Sequence, residues 1–331
     1  MMYAGIDLHK HDVVVAAENE HGPVGKTRRL PCQDEGAIIK HFAGLRPFCA
    51  VIEASSSYRW LYELLSPMGD VVLAHPLRLR AIVTARAKTD KLDAAMLAKL
   101  LRAGFIPEAY IPPTEIQELR DVTRGRARLS YAATSTKNQL HVLLCRANIH
   151  PPFTNVFCKA GRRWFGELDL GRGASAVRDE LLRRLVHYDE ELKRVDGCLA
   201  EMAARFPQVE CLLDLHGVGL YTALLIVAEL GEPDRFTNAN QAGAYSGLTA
   251  RVHQSGGHDY HGHISKQGSR WLRWVLVQAA IKIVRKDEKL KNFYTRIRKR
   301  SGRNVARVAV ARKLAEICWV RLRRWHRDHA A

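Results

Sequence analysis

Paired cysteines are missing from this chain. Its seven cysteines, at 32, 49, 145, 158, 198, 211 and 318, are scattered and form no CxxC. They read as reduced, mostly buried small hydrophobes of a cytosolic protein. Long apolar runs are also missing: stretches such as 220-LYTALLIVAEL-230 are too short to span a bilayer. The N-terminal MMYAGIDLHKHD brings in charge too early for a signal peptide. The 23 glycines and 12 prolines follow no fixed period, which excludes collagen-like and other low-complexity chains. Acid is scarce, with 34 Asp and Glu against 52 Lys and Arg, a formal charge of +18. What remains is an ordinary globular composition, 47% hydrophobic and 26% charged, in 331 residues, enough for two or three domains. Such a charge implies a polyanionic partner, and without a membrane segment nucleic acid is favoured over a lipid surface.

The charge is unevenly spread. Residues 1–110 carry a net +2, residues 111–331 a net +16, and residues 280–331 alone a net +13. The first third is nearly neutral, and polyanion binding belongs to the remainder.

Short polar turns separate apolar runs at 3–8, 13–17 and 24–30, which predicts an antiparallel meander. A helix capped by Asp34 follows, then a buried strand ending in Glu53, a helix over 57–66, a strand over 71–76 and a helix over 89–103 capped by Thr89. This order of elements is that of an α/β ribonuclease-H-like domain at 1–110. Residues 115–147 and 175–205 read as two long amphipathic helices flanking a Pro- and Gly-containing break. They make 111–206 a helical, coiled-coil-like middle, either a dimerisation arm or a solvated linker. A mainly α domain at 207–331 contains one irregular Gly- and His-rich insert at 246–268. No internal repeat is present.

Four carboxylates stand out in the first domain. Asp7 and Glu53 end strands that the fold lays side by side, and Asp90 and Asp93 share a face of the last helix. Singly, each has an ordinary role as a turn, cap or ion-pair residue. Converging, they repel one another unless a cation lies between them. Hard cations such as a pair of Mg²⁺ ions suit carboxylate oxygens, and a metal pair serves in-line phosphoryl displacement.

In the last domain, His216-Gly217-Val218-Gly219 joins two apolar helical stretches and reads as a helix-hairpin-helix element. Its Gly217 and Gly219 would let backbone N–H groups reach a DNA phosphate; an αα-corner is the plainer reading. Ser255, followed by Gly256-Gly257, lies in the insert near Lys266, Arg270 and Arg273. That composition suits phosphate, with the serine as a binding hydroxyl or as a nucleophile. His253, His258, His261 and His263 crowd the same stretch, with a spacing that fits no structural zinc pattern. The basic C-terminal helices, with Trp319 and Trp325 interleaved, suit nucleic-acid binding or a solvated surface.

Asp7 in GIDLHK, Glu53 in VIEASS, Asp90 and Asp93 in KTDKLDA, and the stretch LHGVGLYTALLIVAELGEPDRFTNANQAGAYSGL with the following SGG and ISKQGSRWLRW resemble the insertion-sequence-110 family of DEDD transposases. Two unrelated motif sets occur in the expected order over nearly the whole chain. The resemblance implies a RuvC-like first domain whose tetrad Asp7, Glu53, Asp90 and Asp93 binds Mg²⁺. It also implies a nucleophilic serine matching Ser255, with Ser246 and Ser265 as nearby alternatives. It further implies double-stranded DNA partners at element ends and target, a bridge RNA that chooses the sequences, and dimers that assemble into a tetramer. The expected location is the cytoplasm of a bacterium or archaeon, at the nucleoid. The expected chemistry is a phosphoserine–DNA ester that conserves bond energy for rejoining. A metal-dependent junction nuclease using water and a non-catalytic nucleic-acid-binding protein are the alternatives.

Overall fold

Alternating burial along the first strands fixes how the N-terminal sheet is covered. The structure, a computed structural model, describes residues 1–82, 89–255 and 258–329, with residues 252–255 and 258–261 described by their backbone alone. It divides into two compact units, residues 1–111 and 112–331.

The first unit runs β1 (Met2–Leu8), β2 (Asp12–Asn19), β3 (Gly22–Pro23), β4 (Arg28–Pro31), α1 (Glu35–Ala43), β5 (Phe48–Glu53), α2 (Tyr58–Leu65), β6 (Asp70–Ala74), α3 (Pro76–Ile82), α4 (Asp90–Arg102) and β7 (Glu108–Ala109). The sheet order is β3-β2-β1-β5-β6-β7, with β4 also pairing β2. β1 pairs β2 antiparallel and β5 parallel, and β5 pairs β6 parallel. This is the mixed α/β sheet expected. The expected third strand, 24–30, is realised only as β4 from Arg28, after an exposed run through Gly25 and Lys26, and a two-residue β3 precedes its expected span. The short α3 and β7 were not expected.

Two caps were legible. The Asp34 carboxylate accepts from Ala37 N at 2.9 Å and the Thr89 hydroxyl from Leu92 N at 3.4 Å. Side chains alternate across the sheet. Ala4, Ile6, Val13, Val15, Ala50 and Ile52 join Ile38 and Phe42 of α1 and Leu61 and Leu65 of α2 in one core. On the opposite face Val14 and Ala16 meet Ala94, and Val51 meets Leu97, both from α4. Asp7 and Glu53 follow Gly5 and Val51 by two residues, so they share the α4 face.

The second unit contains α5 (Thr114–Arg146), α6 (Lys159–Glu167), α7 (Arg172–Ala203), α8 (Glu210–Leu213), α9 (Leu220–Leu230), α10 (Ala239–Tyr245), β8 (Ala250–Ser255), β9 (His258–Ile264), α11 (Arg270–Ile283), α12 (Glu288–Ser301) and α13 (Arg303–Asp328). Leu119 of α5 and Leu199 of α7 lie in one core with α9, α11 and α13. Leu140 and Leu144 of α5, Leu181 and Leu185 of α7 and Phe165 of α6 form a second core. The long helices are therefore antiparallel, with a separate core at each end. Thr123 and Ala127 are buried along α5 between those ends, and Ala133 joins the second core. The segment 148–170, expected as a break, folds in part into α6, whose buried Phe165 anchors the second core.

Two further expectations need correction. The insert at 246–268 contains an antiparallel two-stranded sheet rather than irregular chain. The cysteines are not mostly buried: only Cys318 is, while Cys145 and Cys198 are exposed. Among the described residues no helix is long and apolar enough to cross a membrane.

Candidate functional site

A glycine brings the acidic side chains of the first unit together. A Cβ added to Gly5 would lie 2.0 Å from the Ala94 carbonyl oxygen and 2.4 Å from the Ala98 nitrogen, so only glycine lets α4 lie this close to β1. That approach carries the first turn of α4, with Asp90 and Asp93, onto the face that holds Asp7. On the neighbouring strand Glu53 follows Ile52, the partner of Ile6.

Asp7 Oδ2, His9 Nε2 and Asp90 Oδ1 form a cluster whose ligating atoms lie within 4.8 Å of one another. His9 Nε2 is 3.1 Å from Asp7 and 3.4 Å from Asp90. Glu53 and Asp93 are not members of this triad, but their charges are felt at Asp7. Burial raises the Asp7 carboxyl above its ordinary value; the His9 ring opposes this, and the charges of Asp93, Asp90 and Glu53 add to it. Asp90 is shifted the other way, chiefly by a hydrogen bond from Arg29. Arg29 on β4 donates to Asp90 at 2.5 Å and to Asp12 at 3.2 Å.

The sequence reading named neither His9, Arg29 nor Gly5. The signal for His9 was its i+2 spacing from Asp7, which keeps it on the same face. Arg29 lies in the strand expected to close the meander against the second strand, but nothing local marks its side chain as reaching Asp90.

A divalent cation fits this donor set. His9 Nε2 is sealed from solvent and makes no aligned hydrogen bond, although two carboxylate oxygens face it. Asp7 is held up first by burial and then by three neighbouring carboxylates, and a cation would relieve the repulsion among them.

In the second unit the expected nucleic-acid-binding residues divide into two kinds. Gly217 has φ +90°, and a Cβ there would lie 2.6 Å from the Lys282 Cβ, so this glycine is required by packing against α11. Gly219 begins α9 with open space around its Cα. The helix before them, α8, is one turn of four residues, shorter than expected.

Lys266 and Arg270 are exposed, and the Arg270 guanidinium stacks 4.3 Å over the Trp271 ring. Arg273 is half-buried and donates from Nη1 to the Ser246 carbonyl at 3.2 Å, so it holds the fold together. Burial pulls its pKa down. Of the three serines considered, Ser246 is fully buried and donates to the Gly243 carbonyl at 2.6 Å. The Ser265 hydroxyl accepts from Gln267 N at 3.4 Å. Ser255 ends β8, opposite His258. Its side chain, those of His253, His258 and His261, and residues Gly256 and Gly257 lie outside what is described. His263, on β9, is exposed.

Comparison with known proteins adds two family matches. Residues 4–149 match a model of DEDD transposases of the IS110 type, described as "Transposase". Residues 209–295 match the model described as "Transposase IS116/IS110/IS902 family". The chain is 27% identical to the "Transposase for insertion sequence element IS1111A" of Coxiella burnetii, over 97% of this chain and 89% of that protein. It is 28% identical to a "Probable family 20 transposase" of Pseudomonas aeruginosa, over 97% and 96% respectively. A third relative, 26% identical over 96% and 95%, is the "Transposase for insertion sequence element IS1328" of Yersinia enterocolitica.

Proposed function

The chain belongs to the IS110 family of transposases, enzymes that cut and rejoin DNA, and we propose that it does so with an acidic metal site and a serine nucleophile. Asp7, Glu53, Asp90 and Asp93 are the residues assigned to Mg²⁺. The observation that carries this reading is the close packing of α4 on Gly5, which gathers Asp7, His9 and Asp90 into one cluster. A divalent ion bound there would neutralise charge on the scissile phosphate.

Ser255 is the proposed nucleophile. Its Oγ gives up a proton and bonds to phosphorus, and the phosphorus–oxygen bond of the DNA backbone breaks. The departing 3′ or 5′ oxygen takes a proton. The ester keeps the bond energy, so reversal by a new DNA hydroxyl rejoins a strand without ATP. Buried Ser246, whose hydroxyl is already engaged, is poorly suited to this role. Double-stranded DNA at element ends and target is the substrate. The tip of α9 at Gly219 and the exposed Lys266 and Arg270 are assigned to phosphate contacts in the manner of a helix-hairpin-helix element, and Gly217 shapes that turn. Arg273 is assigned to supporting the loop that carries them. A bridge RNA is proposed to supply sequence choice, and the long helices within 111–206 to serve as a dimerisation arm in a tetrameric assembly.

The test mixes the full-length protein, Mg²⁺, the element's noncoding RNA and end-labelled junction DNA, and resolves the products on a denaturing gel. A protein–DNA adduct that survives denaturation and is absent in Ser255→Ala is the expected result. Free cleaved ends without an adduct would make the protein a hydrolytic nuclease. No Mg²⁺-dependent cleavage at all would leave only nucleic-acid binding.

A further inference from the structure

We infer that His9 is a nitrogen ligand in the acidic site and gives it a preference for Mn²⁺ over Mg²⁺. The inference rests on the metal reading above and extends it to a residue outside the Asp and Glu tetrad. It starts from geometry. One ion with ligand bonds of about 2.1 Å holds donors roughly 3–4 Å apart, and His9 Nε2 lies 3.1 Å from Asp7 Oδ2 and 3.4 Å from Asp90 Oδ1.

The ring nitrogen is within ion-pairing distance of both carboxylates but makes no aligned hydrogen bond to either. Nε2 is also closed to solvent. A nitrogen meant only to hydrogen-bond Asp7 would point its proton at an oxygen. One that shares an ion with those oxygens points its lone pair into the space between them.

The backbone that carries the ring is fixed on both sides. His9 N donates to the Asp12 carbonyl at 2.9 Å, and the His9 carbonyl accepts from the Cys32 thiol at 3.6 Å. These contacts hold the main chain of the turn between β1 and β2 from which the imidazole projects. Ligand chemistry then sets the preference. Mg²⁺ demands a near-ideal oxygen shell, whereas Mn²⁺, which takes the same carboxylate oxygens, is a transition divalent and tolerates one imidazole nitrogen among them better than Mg²⁺ does. Mn²⁺ would use His9 together with the carboxylates, and Mg²⁺ would use the carboxylates alone.

The test is Mn²⁺ binding to the full-length protein without DNA, followed by electron paramagnetic resonance. Pulsed spectra of the bound ion should show ¹⁴N modulation from one imidazole. Labelling the unaltered protein with ¹⁵N-histidine should remove that modulation without any substitution. His9→Gln should remove it too, weaken Mn²⁺ by at least roughly tenfold, the lower end of what loss of even an outer-shell partner costs, and leave Mg²⁺ affinity nearly unchanged. Mn²⁺ that binds in an Asp7-dependent way but shows no nitrogen coupling overturns the ligand assignment and leaves the carboxylate site standing. Coupling that persists in His9→Gln also overturns it. If no Mn²⁺ binding is lost in Asp7→Asn, the metal reading itself falls, and the His9 assignment with it.

Discussion

Gly5 and Ala94 touch backbone to backbone: a Cβ at residue 5 would stand 2.0 Å from the Ala94 carbonyl oxygen. The obstacle is main chain, so no rotamer change at residue 94 can make room. Gly5→Ala must push α4 off the sheet. The expected cost is about 1–3 kcal/mol, as for other overpacked contacts, read from a denaturant midpoint. Divalent-ion binding and DNA cleavage should fall further than stability does, because Asp90 and Asp93 move with the helix. Unchanged metal affinity in a folded Gly5→Ala protein would separate the helix contact from the site.

Asp7 gives a pH dependence with a definite sign. Its folded-state pKa is raised by burial and by neighbouring carboxylates, so between its unfolded and folded values the native protein binds more protons than the unfolded chain. Its contribution to stability therefore falls as pH rises from about 3.8 through the raised value and stays low above it. In the absence of metal, Asp7→Asn should melt higher than the unaltered protein at neutral pH and lose that advantage near pH 3. Added Mg²⁺ should reverse the order. An ion at a hundredfold excess over its Kd stabilises by about 2.7 kcal/mol, and Asp7→Asn should not respond. Thermal melts with and without Mg²⁺ at the two pH values check both halves.

Arg29 competes for Asp90. Its hydrogen bond is the main cause of the lowered Asp90 pKa, so this contribution to stability is present above the unfolded value of 3.8 and is lost as pH falls through the lower folded value. Arg29→Gln should therefore weaken folding slightly at neutral pH and not at strongly acidic pH. It should also tighten Mn²⁺ binding, since a resident cation has been removed from a ligand oxygen. Isothermal titration with Mn²⁺ decides the second point; weaker binding would show that Arg29 organises Asp90 instead of competing for it.

Ser246 and Ser255 separate by substitution. Ser246→Ala removes one buried hydrogen bond, to the Gly243 carbonyl, at a cost of about 1 kcal/mol. It should still form the protein–DNA adduct. Ser255→Ala should lose the adduct and retain DNA binding in a mobility-shift assay. An adduct lost only in Ser246→Ala would transfer the nucleophile to that residue.

Much of the first unit was legible because local chemistry and tertiary packing agree there. Asp34 and Thr89 cap the helices their sequence positions announce, and the apolar runs that became β1, β2, β5 and β6 are buried by the same pattern that marks them. The four carboxylates could be named from strand ends and helix spacing. The contacts around them could not. His9 shares a face with Asp7 by its i+2 spacing, but its nearness to Asp90, like that of Arg29, depends on how closely α4 lies on Gly5, which has no local signal. In the second unit, Gly and His at 256–263 mask strand propensity, so the sheet of β8 and β9 read as loop. The sequence around Arg273 does not reveal that one of its guanidinium N–H groups also reaches the Ser246 carbonyl.

The antiparallel pair α5 and α7 has a consequence for mechanics. With 33 residues at about 1.5 Å each, α5 is roughly 50 Å long, and each end of the pair is anchored in a core of its own. Such a pair behaves as a stiff strut with a clamped foot. The pair therefore fixes the spacing between the Phe165 core and the α9 core along its length.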